Sequence, residues 1–323
     1  MAIKVWSMSP SFGYFTTDGL DYLQTRGYQV DRVAQTAKMT EAEIIEKIGS
    51  YDALISGLMP ITANVIRNAP HLKIITQPGA GVDHIDVKAA SKNAITVTNA
   101  PGVNKDAVAE LTFGFFISLA RRIPFGDSSV RQGQWPKVVG SLLKGKTLGI
   151  IGMGKIGKTV AHLGKAFGMT IVAYDVYKDE SFAQANNVQY LALDELMSRS
   201  DFISIHVFLS ETTRNLIGEK EIGRMKPTAF LVNVARGGVV CESSLYDALK
   251  NKSIAGAALD VLSQEPPPAH MDLYDLDNVI LTPHLGGYAV EVAREIGLIC
   301  ARNIHSFFSG RQLENLVNPE ATH

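Results

Sequence analysis

Three polar residues in the second half of the chain have side chains suited to acid–base chemistry on a small substrate. Arg236 lies in NVARGG, Glu265 in SQEPPP and His284 in TPHLGG. A guanidinium can bind a carboxylate through two parallel hydrogen bonds, and an imidazole can exchange a proton near neutral pH. A carboxylate beside that imidazole stabilises its protonated form. Taken singly, each residue also suits an ordinary role, in a surface ion pair, a proline-rich turn or a loop.

A glycine-rich motif upstream of these residues could bind a dinucleotide. Gly152, Gly154 and Gly157 have the G-x-G-x-x-G spacing, directly after an apolar run and at the start of a helical pattern. Such glycines permit a tight turn, the approach of a pyrophosphate and close packing of helix on sheet, while the helix N-terminus supplies amides. Asp175 ends the next predicted strand and can accept hydrogen bonds from the adenosine ribose. Because its charge repels a 2′-phosphate, the motif favours NAD over NADP.

Alternating strand and helix patterns must position these residues. Short apolar runs alternate with helical-period segments, which is typical of βαβ units and parallel sheets. The predicted strands form two series, residues 3–6, 28–33, 53–55, 72–76 and 95–97, then residues 147–151, 170–174, 202–207, 229–233, 256–259 and 279–281. Long apolar-faced helices are predicted over residues 105–121 and 288–308. In doubly wound sheets ligands bind beyond the carboxyl ends of the strands, which is where Arg236 and His284 fall.

Composition and charge are those of an ordinary globular chain. Of the 323 residues 46% are hydrophobic, and 31 Lys and Arg against 32 Asp and Glu leave a formal net charge of −1. We therefore expect no binding to nucleic acid or to a membrane surface.

Cys241 and Cys300 lie among apolar neighbours and are predicted to be reduced, buried thiols. The N-terminus lacks a signal-peptide pattern and no apolar run could span a bilayer, so we expect a cytoplasmic protein, and we expect no metal.

Several motifs together resemble those of the NAD-dependent D-isomer-specific 2-hydroxyacid dehydrogenase family. They are GMGKIG with Asp175, NVARGG, GAALDVLSQEPPP and TPHLGG, in this order and spacing. Two earlier segments, GAGVDHID and NAPGVNKDAVAEL, match as well, so the resemblance covers nearly the whole chain. It implies an oxidoreductase that transfers a hydride between NAD(H) and a small 2-keto or D-2-hydroxy acid.

The resemblance also implies an α/β fold of two doubly wound domains. A flavodoxin-like substrate-binding domain is expected from both chain ends, residues 1–101 and 288–323. A central Rossmann NAD-binding domain is expected over residues 102–287. The family further implies a homodimer formed largely through the Rossmann domain.

Roles for individual residues follow from the same resemblance. It makes Arg236 the substrate-orienting residue, His284 the general acid and base, and Glu265 the carboxylate partner of His284. It assigns the substrate carboxylate to the amides of Ala80 and Gly81. The residues expected to bind or border NAD are Gly152, Gly154, Lys155, Ile156, Gly157, Asp175, His206, Val207, Phe208, Thr213, Val234, Ala235 and Asp260.

Within that cofactor set the resemblance implies particular contacts. Lys155 and Ile156 are expected to hold the pyrophosphate, and Asp260 the nicotinamide amide. The loop over residues 206–209 is expected to cover the adenine. Phe208 stands where the family usually has the proline of an H-x-P sequence, which changes the loop on the adenine side.

Other positions separate neighbouring families. Formate dehydrogenases carry glutamine where this chain has Glu265, so its carboxylate favours acid–base chemistry on a keto or hydroxy acid. Phosphoglycerate dehydrogenases usually carry arginine at the position of Gln77, which disfavours a phosphorylated substrate here. That alternative stays open, because Lys105 or Lys137 could serve instead. His84 is interpreted as a structural partner of its own loop.

An alternative of another class is a NAD-sensing corepressor that binds partner peptides. Such family members often retain the Arg–Glu–His trio, so the trio does not separate the two functions. The chain shows no long disordered tails beyond the two-domain length, which lowers this alternative. Oxidation of NADH with a panel of 2-keto acids distinguishes the two.

Overall fold

Two compact units make up the chain. The computed structural model describes residues 2–9, 11–33 and 39–321. One unit comprises Met1–Asn104 with Gly287–His323, and the other comprises Lys105–Gly286. Each contains one parallel sheet with helices, which confirms the predicted α/β class with two parallel-sheet domains.

The first unit contains a five-stranded sheet. Its strands are β1 (Lys4–Ser7), β2 (Gln29–Arg32), β3 (Ala53–Ile55), β4 (Ile74–Thr76) and β5 (Thr96–Thr98). They are hydrogen-bonded in the order β2-β1-β3-β4-β5, and all pairs run parallel. The helices between them are α1 (Asp18–Gln24), α2 (Glu41–Ile48), α3 (Ala63–Arg67) and α4 (Val87–Lys92).

Threonine side chains fix where two of these helices begin. Thr40 and Glu43 form a capping box at the start of α2, in which Glu43 Oε2 accepts the Thr40 amide at 2.7 Å. Thr62 caps α3 by accepting a hydrogen bond from the Val65 amide at 3.3 Å. Each cap satisfies amides that have no acceptor inside the helix and is worth about 1 kcal/mol.

The second unit contains a seven-stranded parallel sheet. Its strands are β6 (Thr147–Ile151), β7 (Thr170–Tyr174), β8 (Gln189–Tyr190), β9 (Phe202–Ile205), β10 (Phe230–Asn233), β11 (Gly256–Leu259) and β12 (Val279–Leu281). Their order is β12-β11-β10-β9-β6-β7-β8, so the direction of winding reverses between β6 and β9. The helices are α5 (Lys105–Arg121), α6 (Ile123–Arg131), α7 (Lys155–Ala166), α8 (Glu180–Asn186), α9 (Leu193–Arg199), α10 (Glu219–Ile222) and α11 (Glu242–Lys250). Such a reversal opens a crevice at the carboxyl ends of the two strands.

Alternating side chains of this sheet bury two separate hydrophobic cores. Ile150 packs into the core that also contains Phe116 of α5, whereas Ile151 packs into the core that contains Leu245 of α11. All four side chains are fully buried. Because each buried side chain of this size contributes about 1.5–3 kcal/mol, the two layers of helices hold the strand ends firmly in place.

The C-terminal helix α12 (Val290–Phe308) belongs to the first unit. Its Cys300 and Ile304 share a core with Val5 of β1. It also packs closely on α1, because a Cβ on Gly19 would lie 2.4 Å from the carbonyl oxygen of Gly297. The first unit is therefore completed by residues from the far end of the chain.

Several predicted limits differ from the observed ones. The helix predicted over residues 288–308 begins at Val290, and the strand predicted over residues 202–207 ends at Ile205, where the chain turns into a loop. Strand β8 has no predicted counterpart. Cys300 is buried as predicted, but Cys241 is only half-buried, since it precedes α11 at the unit's surface. Among the described residues, no helix combines the length and apolar character needed to cross a membrane.

Candidate active site

The glycine-rich loop joins β6 to α7 in a turn that requires glycine at two positions. Gly152 has a φ of +99°, and a Cβ on it would lie 2.8 Å from the carbonyl carbon of His206. A Cβ on Gly157 would lie 2.0 Å from the carbonyl oxygen of Gly152. The first glycine permits the turn, and the second lets α7 pack against the loop.

Gly154, the N-cap of α7, borders open space instead. A Cβ built on it meets no atom of the described chain within 4 Å. The N-terminal amides of α7, including those of Lys155 and Ile156, point out of the helix at this end. Amides at a helix N-terminus attract phosphate oxygens. The space beside Gly154 and these amides fit the pyrophosphate of NAD.

Asp175, which follows β7, contacts the glycine-rich loop directly. Its Oδ2 accepts a hydrogen bond from the Met153 amide at 2.6 Å, and its Oδ1 accepts one from the Tyr177 amide at 2.9 Å. An ionised carboxylate can accept about four hydrogen bonds, so two positions remain for ribose hydroxyls. The motif spacing predicts the ribose contact but contains no signal for the bond to Met153.

The loop after β9 begins with a half-buried histidine. His206 places Nε2 2.5 Å from the Ser204 hydroxyl, and burial lowers the pKa of His206 to about 3. Its imidazole is therefore neutral at physiological pH. The next residue, Val207, lies against the glycine-rich loop, with Cγ1 3.0 Å from the position of a Cβ on Gly152.

Phe208 and Thr213 shape the rest of that loop. Thr213 donates its hydroxyl hydrogen to the carbonyl oxygen of Phe208 at 2.6 Å and accepts the Ser210 amide at 2.7 Å. The Phe208 residue is 72% exposed. An exposed aromatic ring offers a face on which a purine base can stack. Phe208 replaces the family's proline, and the hydrogen bonds of Thr213 fix the loop around it.

Asn233, the last residue of β10, organises the loop that carries Arg236. Its side-chain Oδ1 accepts the Ala235 amide at 3.1 Å, and its Nδ2 donates to the Arg236 carbonyl at 2.9 Å. Asn233 is 1% exposed, and the neighbouring Val234 is also buried. The Arg236 guanidinium donates to the Ala235 carbonyl at 2.8 Å. The sequence analysis missed Asn233, although a buried amide at the end of a strand, inside a recognised motif, was a usable signal.

Glu265 and His284 form the central contact of the site. His284 Nδ1 lies 2.7 Å from Glu265 Oε2, and Glu265 Oε1 accepts the Leu262 amide at 3.1 Å. Burial raises the pKa of Glu265, but the hydrogen bond and charge of His284, the Leu262 amide and the charge of Arg236 together lower it below its ordinary value. Glu265 is therefore ionised at neutral pH and engages the Nδ1 side of the imidazole.

Asp260 anchors the loop that carries His284. Its Oδ1 accepts hydrogen bonds from the Thr282 hydroxyl and the Leu285 amide, both at 2.6 Å, and its Oδ2 accepts the Gly286 amide at 2.8 Å. Asp260 is 1% exposed, and its carbonyl oxygen also accepts the His284 amide at 2.8 Å. The predicted contact of Asp260 with the nicotinamide amide stays a prediction.

In the first unit, the loop after β4 contains Ala80 and Gly81. Within residues 2–9, 11–33 and 39–321, neither amide donates a hydrogen bond to another residue. The Ala80 carbonyl accepts the Asn99 side-chain amide at 2.7 Å, which fixes the loop. Gln77 Oε1 accepts a hydrogen bond from the Ser56 hydroxyl and lies 3.1 Å from His84 Nε2, so His84 supports its own loop.

No group of three or more histidine, cysteine, aspartate or glutamate side chains in the described part of the chain is arranged to hold a metal ion.

The second unit combines a glycine-rich loop at the reversal of a parallel sheet with an acid–base pair. Such a site belongs to the class of NAD-dependent oxidoreductases.

Comparison with known proteins agrees with this class. The model of the NAD binding domain of D-isomer specific 2-hydroxyacid dehydrogenases matches residues 113–286. A glyoxylate reductase of Korarchaeum cryptofilum is 42% identical over 91% of this chain and 90% of its own length. A D-3-phosphoglycerate dehydrogenase of Methanocaldococcus jannaschii is 43% identical over 90% of this chain, but this covers only 56% of that relative. A solved structure of a Thermus thermophilus protein has a TM-score of 0.89 and 32% identity, covering 98% of this chain and 100% of that one.

The chain belongs to the D-isomer specific 2-hydroxyacid dehydrogenase family, and it is an NAD-dependent oxidoreductase acting on hydroxy acids. The resemblance drawn from the motifs is thereby confirmed, as are the predicted cofactor and reaction class.

Proposed function

We propose that the chain reduces a small, unphosphorylated 2-keto acid to the D-2-hydroxy acid with NADH, and that it catalyses the reverse reaction. The observation that carries this proposal is the 2.7 Å contact between His284 Nδ1 and Glu265 Oε2. The glyoxylate reductases among the relatives support a substrate with little or no side chain.

NAD is held by the residues around the glycine-rich loop. The N-terminal amides of α7 bind its pyrophosphate, Asp175 its ribose, and Phe208 its adenine. Val234 and Ala235, which precede Arg236 in the sequence, would border it. When bound as NADH, the cofactor supplies the hydride that reduces the substrate carbonyl.

His284 gives the proton to the forming alkoxide. Because Glu265 engages Nδ1, Nε2 is the nitrogen that exchanges the proton with substrate. The ionised Glu265 favours the imidazolium until that transfer. In the reverse direction neutral Nε2 removes the hydroxyl proton, so oxidation has a higher pH optimum than reduction.

Arg236 orients the substrate through its planar guanidinium. A fork of N–H donors fixes a carboxylate and its neighbouring carbonyl in one plane, and positioning of this kind supplies much of the lowering of the barrier. In the first unit, the amides of Ala80 and Gly81 serve as further donors to the substrate carboxylate.

D-3-phosphoglycerate oxidation is the second candidate, since one relative with that name is 43% identical. Gln77, at the position where such enzymes usually have arginine, is an uncharged residue that is 5% exposed. Its side chain is already bonded to Ser56 and His84. Gln77 itself therefore supplies no positive charge to a phosphate, which favours the unphosphorylated substrate.

A homodimer formed through the second unit is part of the proposal. Helix α6 and the segment after it expose apolar side chains that a second copy would cover. Trp135 is 78% exposed and Val139 91% exposed, and Val130 and Leu142 add to the same stretch.

The unpaired Cys241 and Cys300 agree with a reducing compartment, and we place the enzyme in the cytoplasm.

The test is NADH oxidation with glyoxylate, other 2-keto acids and 3-phosphohydroxypyruvate. We expect turnover with one or more small 2-keto acids, and His284→Ala to reduce it by about 10²–10⁴-fold while NADH affinity stays nearly unchanged. His270→Ala, at an exposed histidine of the same unit, is the matched control. Preference for the phosphorylated substrate would favour the second candidate, and binding of NADH without any turnover would favour a corepressor. Wild-type rates in His284→Ala would overturn the mechanism.

A further inference from the structure

Glu242, the first residue of α11, joins two loops of the proposed active site. Its Oε1 accepts a hydrogen bond from the Ser263 amide at 2.6 Å. Ser263 lies two residues before Glu265, and Glu242 follows the loop that carries Arg236. One carboxylate therefore connects the helix after the arginine loop to the segment before Glu265.

The backbones of the same two loops are in close contact. A Cβ on Gly237 would lie 2.0 Å from the carbonyl carbon of Leu262 and 2.3 Å from the Ser263 nitrogen. Glu265 bonds this segment from within, because its Oε1 accepts the Leu262 amide. A shift of residues 262–263 therefore moves the carboxylate that contacts His284.

We propose that Glu242 is a positioning residue, which sets the place of the Glu265 carboxylate relative to His284 and Arg236. The proposal rests on the roles given above to Glu265 and His284. Glu242 reaches neither imidazole nor guanidinium in the contacts of the described chain, and it acts through the Ser263 amide. A charge-assisted bond of 2.6 Å is short and directional, which suits this task.

Loss of the Glu242 bond has a defined effect on the pH profile. The pKa of Glu265 lies below its ordinary value because of His284, the Leu262 amide and Arg236, against the effect of burial. When the segment is released, these contacts lengthen and the pKa of Glu265 rises. Glu265 is then protonated earlier as the pH falls, so the acidic limb of kcat/KM moves to higher pH. Removal of the Glu242 charge alone acts in the opposite direction, since a nearby anion raises a carboxyl pKa.

The experiment compares Glu242→Ala, Glu242→Asp and Glu242→Gln, with Glu180→Ala as control for a first-turn glutamate on another helix. The measurements are kcat/KM for glyoxylate with NADH across pH, NADH affinity by fluorescence titration, and the melting temperature. We expect Ala and Asp to lower kcat/KM on the order of tenfold, and Asp, which keeps the charge, to move the acidic limb to higher pH. Gln keeps an acceptor for Ser263 and should retain most of the activity. NADH affinity should not change.

The Asp variant keeps the charge at the helix N-terminus, so it tests the proposal even if Glu242→Ala does not fold. The proposal would be overturned by any of three results. These are an acidic limb that does not shift in Glu242→Asp, equal losses of kcat/KM in Glu242→Gln and Glu242→Ala, or the same loss in Glu180→Ala. Glu265→Gln distinguishes this failure from that of the proposed function. If Glu265→Gln is fully active, the proposed function fails too. If it is impaired, Glu242→Ala should add little in the double variant, because both changes act on one carboxylate.

Discussion

His284 has a φ of +55°, in the left-handed region that favours glycine. A non-glycine residue in this conformation costs about 1–2 kcal/mol. The bonds of Asp260 to Thr282, Leu285 and Gly286, and its carbonyl's bond to the His284 amide, offset that cost. The orientation of the imidazole therefore depends on a buried aspartate as much as on Glu265. At the scale of single residues, the site is built from carboxylates that hold backbone amides.

Asp175 likewise holds backbone amides, and it is also expected to bind the cofactor. Its substitution should therefore change both the choice of cofactor and the order of the glycine-rich loop. Asp175→Ala is expected to weaken NADH binding by about 2–4 kcal/mol and to relax discrimination against NADPH, because two charge-assisted bonds and a repulsive charge are lost. Asp175→Asn keeps an oxygen for the Met153 amide, so its melting temperature should stay closer to that of the wild type. Cofactor titrations and thermal melts check this. A wild type that prefers NADPH would show that the role of Asp175 is misassigned.

Sequence patterns predicted the elements well where a run is long and apolar. Strands β6 and β7 and helix α5 have the predicted limits, because buried residues at regular spacing define them. Strand β8 escaped prediction, since two residues carry no periodicity. Catalytic residue types were recognisable from their motifs, whereas the bond between Glu242 and the Ser263 amide depends on which loops meet in the fold.

At the scale of elements, two glycines in the turn from β6 to α7 are needed for different reasons. Gly157→Ala would force a methyl group against the Gly152 carbonyl and should cost about 1–3 kcal/mol of unfolding free energy. Gly154→Ala places its methyl group in open space, so stability should change by less than about 1 kcal/mol.

NADH affinity is the second measurement that should distinguish Gly154→Ala from Gly157→Ala. Gly154→Ala should weaken it by about tenfold or more, because the methyl group occupies the space meant for the pyrophosphate. Thermal unfolding and fluorescence titration of both variants measure the difference. Unchanged NADH affinity in Gly154→Ala would mean that the pyrophosphate does not lie there.

At the scale of the whole molecule, the exposed apolar stretch after α6 predicts self-association. Val139→Asp should shift the dimer toward the monomer, since a charge buried in an interface without a partner is costly. Leu58→Asp, at an exposed apolar residue of the first unit, is the control and should leave the assembly intact. Sedimentation at micromolar concentration distinguishes the two. A stable 35.0 kDa wild-type monomer would refute the dimer.

The return of α12 to the first unit has a consequence for biosynthesis. Val5 and Leu23 are translated before the second unit, whereas Cys300 and Ile304, which share their core, are translated after it. At about 5–20 residues per second, the nascent first unit lacks its covering helix for roughly 10–40 s. The second unit, continuous in sequence, can complete its two cores during that interval. The order of maturation is thus the reverse of the order of translation: the half that emerges first is the last to close.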